Sequence, residues 1–405
     1  MKKSDLWTTT HHMNPMMPRI DEGLEDLAMR LVAAASELRK MLHPISRMAV
    51  RAVVEKMNCY YSNLIEGHHT SPLDIERALA KEYASDPAQR ALQLEAEAHV
   101  EVQRLIEEKV KGPSLDVLSA GFIQWIHAEF YRRLPEDFLV VKDPDGKASH
   151  RVMPGELRTV EVHVGRHVAP KAAALPGMLE YFSQQYIPER LSPIQRVVAL
   201  AASHHRLLWI HPFLDGNGRV VRLMTNALLI KAGLDANGLW APARGLARQQ
   251  KQYYQYLAAA DEKRRNDYDG RGNLSEQGLG EFCKFFLDTC IDQAQYMSRQ
   301  LEIASLDKRI DSYIALMAAE KKVRPEASRV LREVLVRGEV HRGEVERISG
   351  LKERTARDML SQLLKEKLIT SDSPKGKIRI TFPVSACYYY FPQLFQGPGQ
   401  DNGSE

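Results

Sequence analysis

Cysteine is scarce in this chain: four residues in 405, Cys59, Cys283, Cys290 and Cys387, with no C-x-x-C pair among them. That excludes a disulfide framework and a cysteine-ligated zinc knuckle, and the thiols read as reduced and mostly buried. Long apolar runs are lacking too, since nothing approaches the roughly 18 continuous apolar residues of a membrane span. The N-terminal MKKSDLWTTTHHMNP carries two lysines with no apolar stretch behind them, so it does not read as a secretory signal. A dominant charge sign is also missing. A formal net charge of +4 is too mild for a chain devoted wholly to nucleic acid. Internal repeats and low-complexity tracts are absent. The expectation is a soluble, cytoplasmic protein with no membrane partner.

What is present is a globular composition, 44% hydrophobic and 27% charged, in a chain long enough for two or three domains. Apolar residues recur at three and four spacing over 23–41, 46–66, 86–111, 114–134, 171–190, 193–210, 219–232, 245–262 and 275–303, which predicts a mainly α fold. One stretch breaks that period. In ELRTVEVHVGRHVAP, Val160, Val162 and Val164 alternate with Thr159, Glu161 and His163, which predicts a hairpin near 155–170 turning at Gly165-Arg166. The expected organisation is an N-terminal helical region over 1–114, a main domain over 115–303, a helical connection over 304–322, a small unit over 323–386 and a tail over 387–405.

The densest chemistry lies in HPFLDGNGRVVR, residues 211–222. His204, His205 and His211 cluster, but no H-E-x-x-H and no nearby cysteine supports zinc. An anion site suits the residues better. Gly216-Asn217-Gly218 opens the helix 219–232, where glycines let successive N–H groups converge and the helix dipole favours negative charge. Arg219 and Arg222 stand at i, i+3, so both side chains can reach the outer phosphates of a nucleotide. Asp215 is placed to hold a divalent cation, because phosphate-bound magnesium uses only one or two carboxylates. His211 is the nearby group suited to accept a proton near neutral pH.

This run, H-P-F-x-D-G-N-G-R-x-x-R, resembles the signature of the Fic family, whose members commonly transfer AMP from ATP to a hydroxyl of a target protein. The resemblance covers about residues 115–295 and implies a Fic-type helical bundle with a β-hairpin flap, ATP as substrate and Mg²⁺ beside it. It implies His211 as the base for the target hydroxyl and Asp215 as the magnesium ligand. Gly216, Asn217 and Gly218 would form the anion hole, and Arg219 and Arg222 would orient the outer phosphates. The hairpin near 155–170 resembles the flap that docks the target by strand addition. Tyr253 and Tyr254 fall where the family often contacts the base. Upstream, Ser62 and Glu66 in YYSNLIEG resemble the inhibitory helix of self-inhibited members, within about 46–67, and Glu66 would pair with Arg222. The same glutamate assists removal of AMP in some members, so the direction of reaction stays open.

Residues 323–386 read as helix, helix, turn, helix and a two-stranded wing, and the stretch looks like a winged helix-turn-helix. Fourteen Lys/Arg face nine Asp/Glu there, so the net positive charge of the chain is concentrated in this unit. Arg354 and Arg357, early in the third helix, are the candidate DNA contacts, against the alternative of a protein-docking or homodimer module. A DNA-binding regulator with a nucleotide-sensing core is the competing reading of the whole.

Overall fold

The computed structural model describes residues 7–112, 114–142, 149–165 and 167–396. The architecture is mainly α, as the periodicity predicts. The helices run in the order α1 (Glu22–Arg39), α2 (Pro44–Ile65), α3 (Pro72–Leu79), α4 (Pro87–Val110), α5 (Ala120–Tyr131), α6 (Leu175–Gln185), α7 (Pro193–Ile210) and α8 (Asn217–Lys231). They continue through α9 (Ala243–Arg248), α10 (Gln250–Asp261), α11 (Glu276–Leu301), α12 (Ile303–Ala319), α13 (Ala327–Arg337), α14 (Val345–Ser349), α15 (Glu353–Lys365) and α16 (Val384–Tyr390). None of the described helices is long and apolar enough to cross a membrane.

Local chemistry sets the helix starts. Pro44, Pro72, Pro87 and Pro193 open their helices, where a missing N–H costs nothing. Asp21, Ser71, Asp86, Ser119, Ser192 and Ser275 cap the following backbone N–H groups. Ser192 and Gln195 cap each other reciprocally, which fixes where α7 begins and so where its far end delivers His211.

Strands are few and short. β1 (Val140–Lys142) pairs antiparallel with β2 (Ser149–Arg151), β3 (His163–Val164) with β4 (His167–Val168), and β5 (Ile369–Thr370) with β6 (Arg379–Ile380). The β1–β2 hairpin falls where the sequence reads as turn. The expected 155–170 hairpin narrows to two pairs, Val164 with His167 and His163 with Val168. The reason is visible in Arg158, whose guanidinium takes the Val160 and Pro170 carbonyls and so ties the hairpin base without strand pairing. Arg166, half of the expected turn, lies outside the described residues.

Two further expectations are corrected. The predicted helix 245–262 is two helices, broken at Gln249, whose φ of −108° and ψ of 30° leave the helical region. The tail expected from 387 is not a tail at its start. Cys387 and Tyr390 are buried on α16, and Phe391, Leu394 and Phe395 are buried beyond it, because their apolar area outweighs the Pro/Gly signal that follows. Residues 397–405 lie outside the described residues. One continuous apolar core links the N-terminal helices, the α7–α8 pair and the C-terminal unit.

Candidate active site

The site forms where α7 ends and α8 begins. His211 closes α7 in the left-handed region, φ 49° and ψ 61°, which turns the chain sharply out of the helix. Phe213 is fully buried and stacks on His127 at 4.0 Å. The Asn217 side chain staples that turn: its Oδ1 accepts from Phe213 N at 2.9 Å and its Nδ2 donates to Phe213 O at 2.8 Å. Asn217 can therefore serve an anion only through its backbone N–H, a narrower role than the motif implies. Gly216 has φ +77°, and a Cβ there would strike the Tyr131 ring, so only glycine fits.

Arg158 positions His211, and no sequence signal marked it. It is 4% exposed. Its Nε donates to His211 O at 2.9 Å, and its backbone N–H donates to Pro212 O at 3.0 Å. His167 of β4 donates from Nε2 to Trp209 O at 2.8 Å, which pins the hairpin to the end of α7. Burial, with the His167 and Arg158 charges adding to it, lowers the His211 imidazole to about 4. The ring is thus neutral at physiological pH and carries a lone pair that can accept a proton.

Asp215 is exposed, and its Oδ2 accepts from Tyr131 OH at 2.7 Å. Burial first, then the Asp215 charge, push the Tyr131 phenol well above its ordinary range, which keeps it a donor. A single oriented, solvent-facing carboxylate with a second oxygen to offer fits a magnesium ion that arrives with phosphates.

Both motif arginines are held by carboxylates. Arg222 donates from Nε to Ser62 Oγ at 2.9 Å, and from Nη2 to Ser62 O at 3.2 Å and Glu66 Oε1 at 2.5 Å. Glu66 Oε1 lies directly over Gly218, where a Cβ would collide with it. Its carboxylate therefore sits on the first turn of α8, the place an anion would take. Burial opposes ionisation of Glu66, but Arg222 and Arg219 outweigh it and hold the group below the usual carboxylate range. Arg219 is paired with Glu95 of α4, which is 1% exposed. His68 joins them, 2.6 Å from Glu95 Oε2 and 3.0 Å from Arg219 Nη2. Neither Glu95 nor His68 carried a signal in the sequence, because partners 124 and 151 positions from Arg219 meet only through the fold.

Tyr253 corrects an expectation. It is 1% exposed, with its hydroxyl 2.7 Å from His204 Nε2. Thr225 donates its proton to Val221 O, so His204 Nδ1 donates to Thr225, and Nε2 accepts from Tyr253. The ring is sealed in the core and offers no face to a base. Tyr254 is half exposed and donates to Ile65 O at 3.0 Å, beside Gln250, which donates to the same carbonyl at 3.0 Å.

Residues 117–229, which include the whole of this site's turn, match the model of the Fic/DOC family. That stretch is similar to a Fic domain. The chain's relatives include the protein adenylyltransferase Fic of Nematostella vectensis, 30% identical over 216 residues that cover 52% of this chain and 45% of that protein. That of Drosophila grimshawi is 37% identical over 108 residues, 27% of this chain and 21% of the relative. The chain thus spans less than half the length of these curated relatives. Among solved structures, a Fic family protein from Desulfovibrio desulfuricans G20 superposes with a TM-score of 0.51 at 17% identity, covering 89% of this chain and 97% of that one. C. elegans Fic-1 (aa134–508) gives 0.50 at 17% identity, over 68% and 71%. At such identities the agreement establishes the Fic fold. Within it, the end of α2 with Ser62 and Glu66 meets α8 through Arg222, and the hairpin segment meets the end of α7 through Arg158 and His167.

Proposed function

We propose that this protein is an adenylyltransferase that moves AMP from ATP to a hydroxyl of a target protein, and that Glu66 restrains it. The observation that carries the reading is a neutral, backbone-anchored His211 six residues before the start of α8, whose first turn Glu66 covers. The target oxygen attacks the α-phosphorus as His211 takes its proton. The bond to the β-phosphate oxygen then breaks, and pyrophosphate leaves. Backbone N–H groups from Gly216 to Gly218 and the Arg219 guanidinium stabilise the charge on the phosphates. Asp215 is the residue that would hold magnesium, which when bound neutralises phosphate charge. Target docking falls to the β3–β4 edge and to the adjoining groove lined by Met153, Thr159, Val160 and Leu214.

In the restrained state, Glu66 occupies the anion position over Gly218 and takes Arg222 from the γ-phosphate. Incubation with cell lysate and α-labelled ATP tests the reading: label enters protein with the Glu66→Gly variant and is lost with His211→Ala. Label that persists without His211 overturns it. The carboxylate over the cradle also favours a reverse reading, in which Glu66 orients a water to remove AMP. Release of label from a pre-modified target by wild type, and not by Glu66→Gly, would select that direction.

A second reading concerns α15. Its buried face is Ala356, Met359, Leu360 and Leu363, which leaves Arg354 and Arg357 exposed on the opposite face. A winged-helix unit presenting those arginines to DNA phosphates would make the chain a nucleotide-sensing regulator.

A further inference from the structure

The C-terminal unit is not merely appended to the Fic domain; it grips the helix that carries Glu66. Near the start of α2, Ser46 Oγ donates to Leu335 O of α13 at 2.6 Å. Gly338, at φ +79°, passes directly against the His43 ring. In mid-helix, Lys56 pairs with Glu76 of α3 at 2.8 Å, and Glu76 Oε1 accepts from Val384 N, the first residue of α16, at 3.2 Å. One turn further on, Tyr61, fully buried, donates its hydroxyl to Gln396 O at 2.7 Å. Tyr60 meets the Phe395 ring edge-on at 5.9 Å.

The gripping segment is itself fixed from behind. Arg244 of α9 lies 3.7 Å over the Tyr296 ring and donates from Nη2 to Gln393 O at 3.1 Å. Tyr296 donates to Pro392 O at 2.8 Å, and Arg309 of α12 donates to Tyr390 O at 2.6 Å. The next residue of α2 after Tyr61 is Ser62, which already belongs to the Arg222 network. A helix transmits displacement along its axis, and from Ser46 to Glu66 that axis is about 30 Å long.

We propose that residues 384–396 act as a strut that sets the inhibitory helix, so that loosening the strut releases Glu66 from Arg222. The proposal rests on the reading of Glu66 as a restraint. A merely structural role would lower activity or stability whichever residue stands at 66. A strut acts through Glu66 and loses its effect when Glu66 is gone.

The test is a double-mutant cycle on the full chain, with Phe395→Ala and the milder Tyr61→Phe each placed on wild type and on Glu66→Gly. Auto-modification with α-labelled ATP and amide hydrogen exchange across 56–66 are read together. On wild type, either variant raises label incorporation by roughly three- to tenfold, the range expected from one hydrogen bond or ring contact. On Glu66→Gly the same change alters incorporation by less than about twofold. Exchange across 56–66 quickens in both backgrounds. Equal effects on label incorporation in both backgrounds, or unchanged exchange, overturn the strut. If Glu66→Gly itself transfers no label, the adenylyltransferase reading fails, and the exchange data alone decide whether the segment holds α2. Should Phe395→Ala not melt cooperatively, Tyr61→Phe carries the test, since it removes one oxygen and no packing volume.

Discussion

Replacing Glu66 with glutamine is a sharp probe of the proposed restraint on Arg222, because it keeps the shape of the side chain and removes its charge. The structure sets the size of the effect. The Arg222 side chain is 5% exposed and Glu66 is 31% exposed, so the pair lies between a solvated bridge and a fully buried one. A hydrogen bond to a charged group contributes about 1.5–3 kcal/mol in such a setting. That is roughly a 10- to 150-fold change in the balance between Glu66 and a γ-phosphate competing for Arg222. Glu66→Gln keeps a weak amide acceptor over Gly218, so its gain belongs near the lower end. Glu66→Gly also clears the space above Gly218 and belongs near the upper end. The assay is label incorporation from α-labelled ATP over a range of nucleotide concentrations, with binding of a non-hydrolysable analogue in parallel. If incorporation by wild type, Glu66→Gln and Glu66→Gly is the same within about twofold at every concentration, the contest for Arg222 is wrong.

Other consequences follow from the same contacts. Glu95→Ala leaves the Arg219 charge buried without its partner, which costs about 3–5 kcal/mol and shows as a lower denaturation midpoint; an unchanged midpoint would place Arg219 in solvent. Burial holds His99 at about 3 and His127 at about 4, each from 6.5. The unfolded chain therefore binds protons below pH 6.5 that the folded chain refuses, and stability falls as pH drops toward 4. At about pH 5 each of these two imidazoles contributes about 2 kcal/mol of that loss, opposed in part by His68, which its hydrogen bond to Glu95 raises. A melting temperature that stays level from about pH 7.5 to 5 would contradict this balance. If α15 meets DNA, substituting Arg354 and Arg357 by alanine weakens a gel shift and lowers its salt dependence by about two counterions, and an unaltered shift would remove these residues from contact.

The legible parts of this chain are those whose chemistry is local. Helix periods fixed most of the architecture, since each amphipathic run carries its own evidence of which side is buried. The strands were harder. β1 and β2 are three residues each, and the bonds closing the β3–β4 base come from the Arg158 side chain, which leaves no period in the sequence. Composition misled at the C-terminus. The Pro/Gly-rich QGPGQ suggests a tail, but the preceding FPQLF buries Phe391, Leu394 and Phe395 against helices about 100 to 335 positions earlier. No window of ordinary length contains both halves of such a contact.

The site divides along the same line. From 211 to 222 the residues needed to shape the turn lie within one another's reach: Asn217 staples Phe213, and Gly216 makes room for Tyr131. Motif density alone therefore marks the turn. Its electrostatic state does not follow from the motif, because every charge that decides it arrives from elsewhere. Glu66 comes from α2, Glu95 from α4 and Arg158 from the loop before β3. Two arginines read from sequence as waiting for phosphate are, in the folded chain, already neutralised by two carboxylates of unequal standing. Glu95 is 1% exposed and packed into the core, so it cannot leave Arg219 without unfolding the α4 interface. Glu66 stands at the end of its helix with its side chain partly in solvent, so it can leave Arg222 by a small shift of one helix end. The chain thus holds one fixed arginine and one releasable arginine near the N-terminus of α8. On the proposed reading of the site, the releasable one is where regulation of nucleotide access would act.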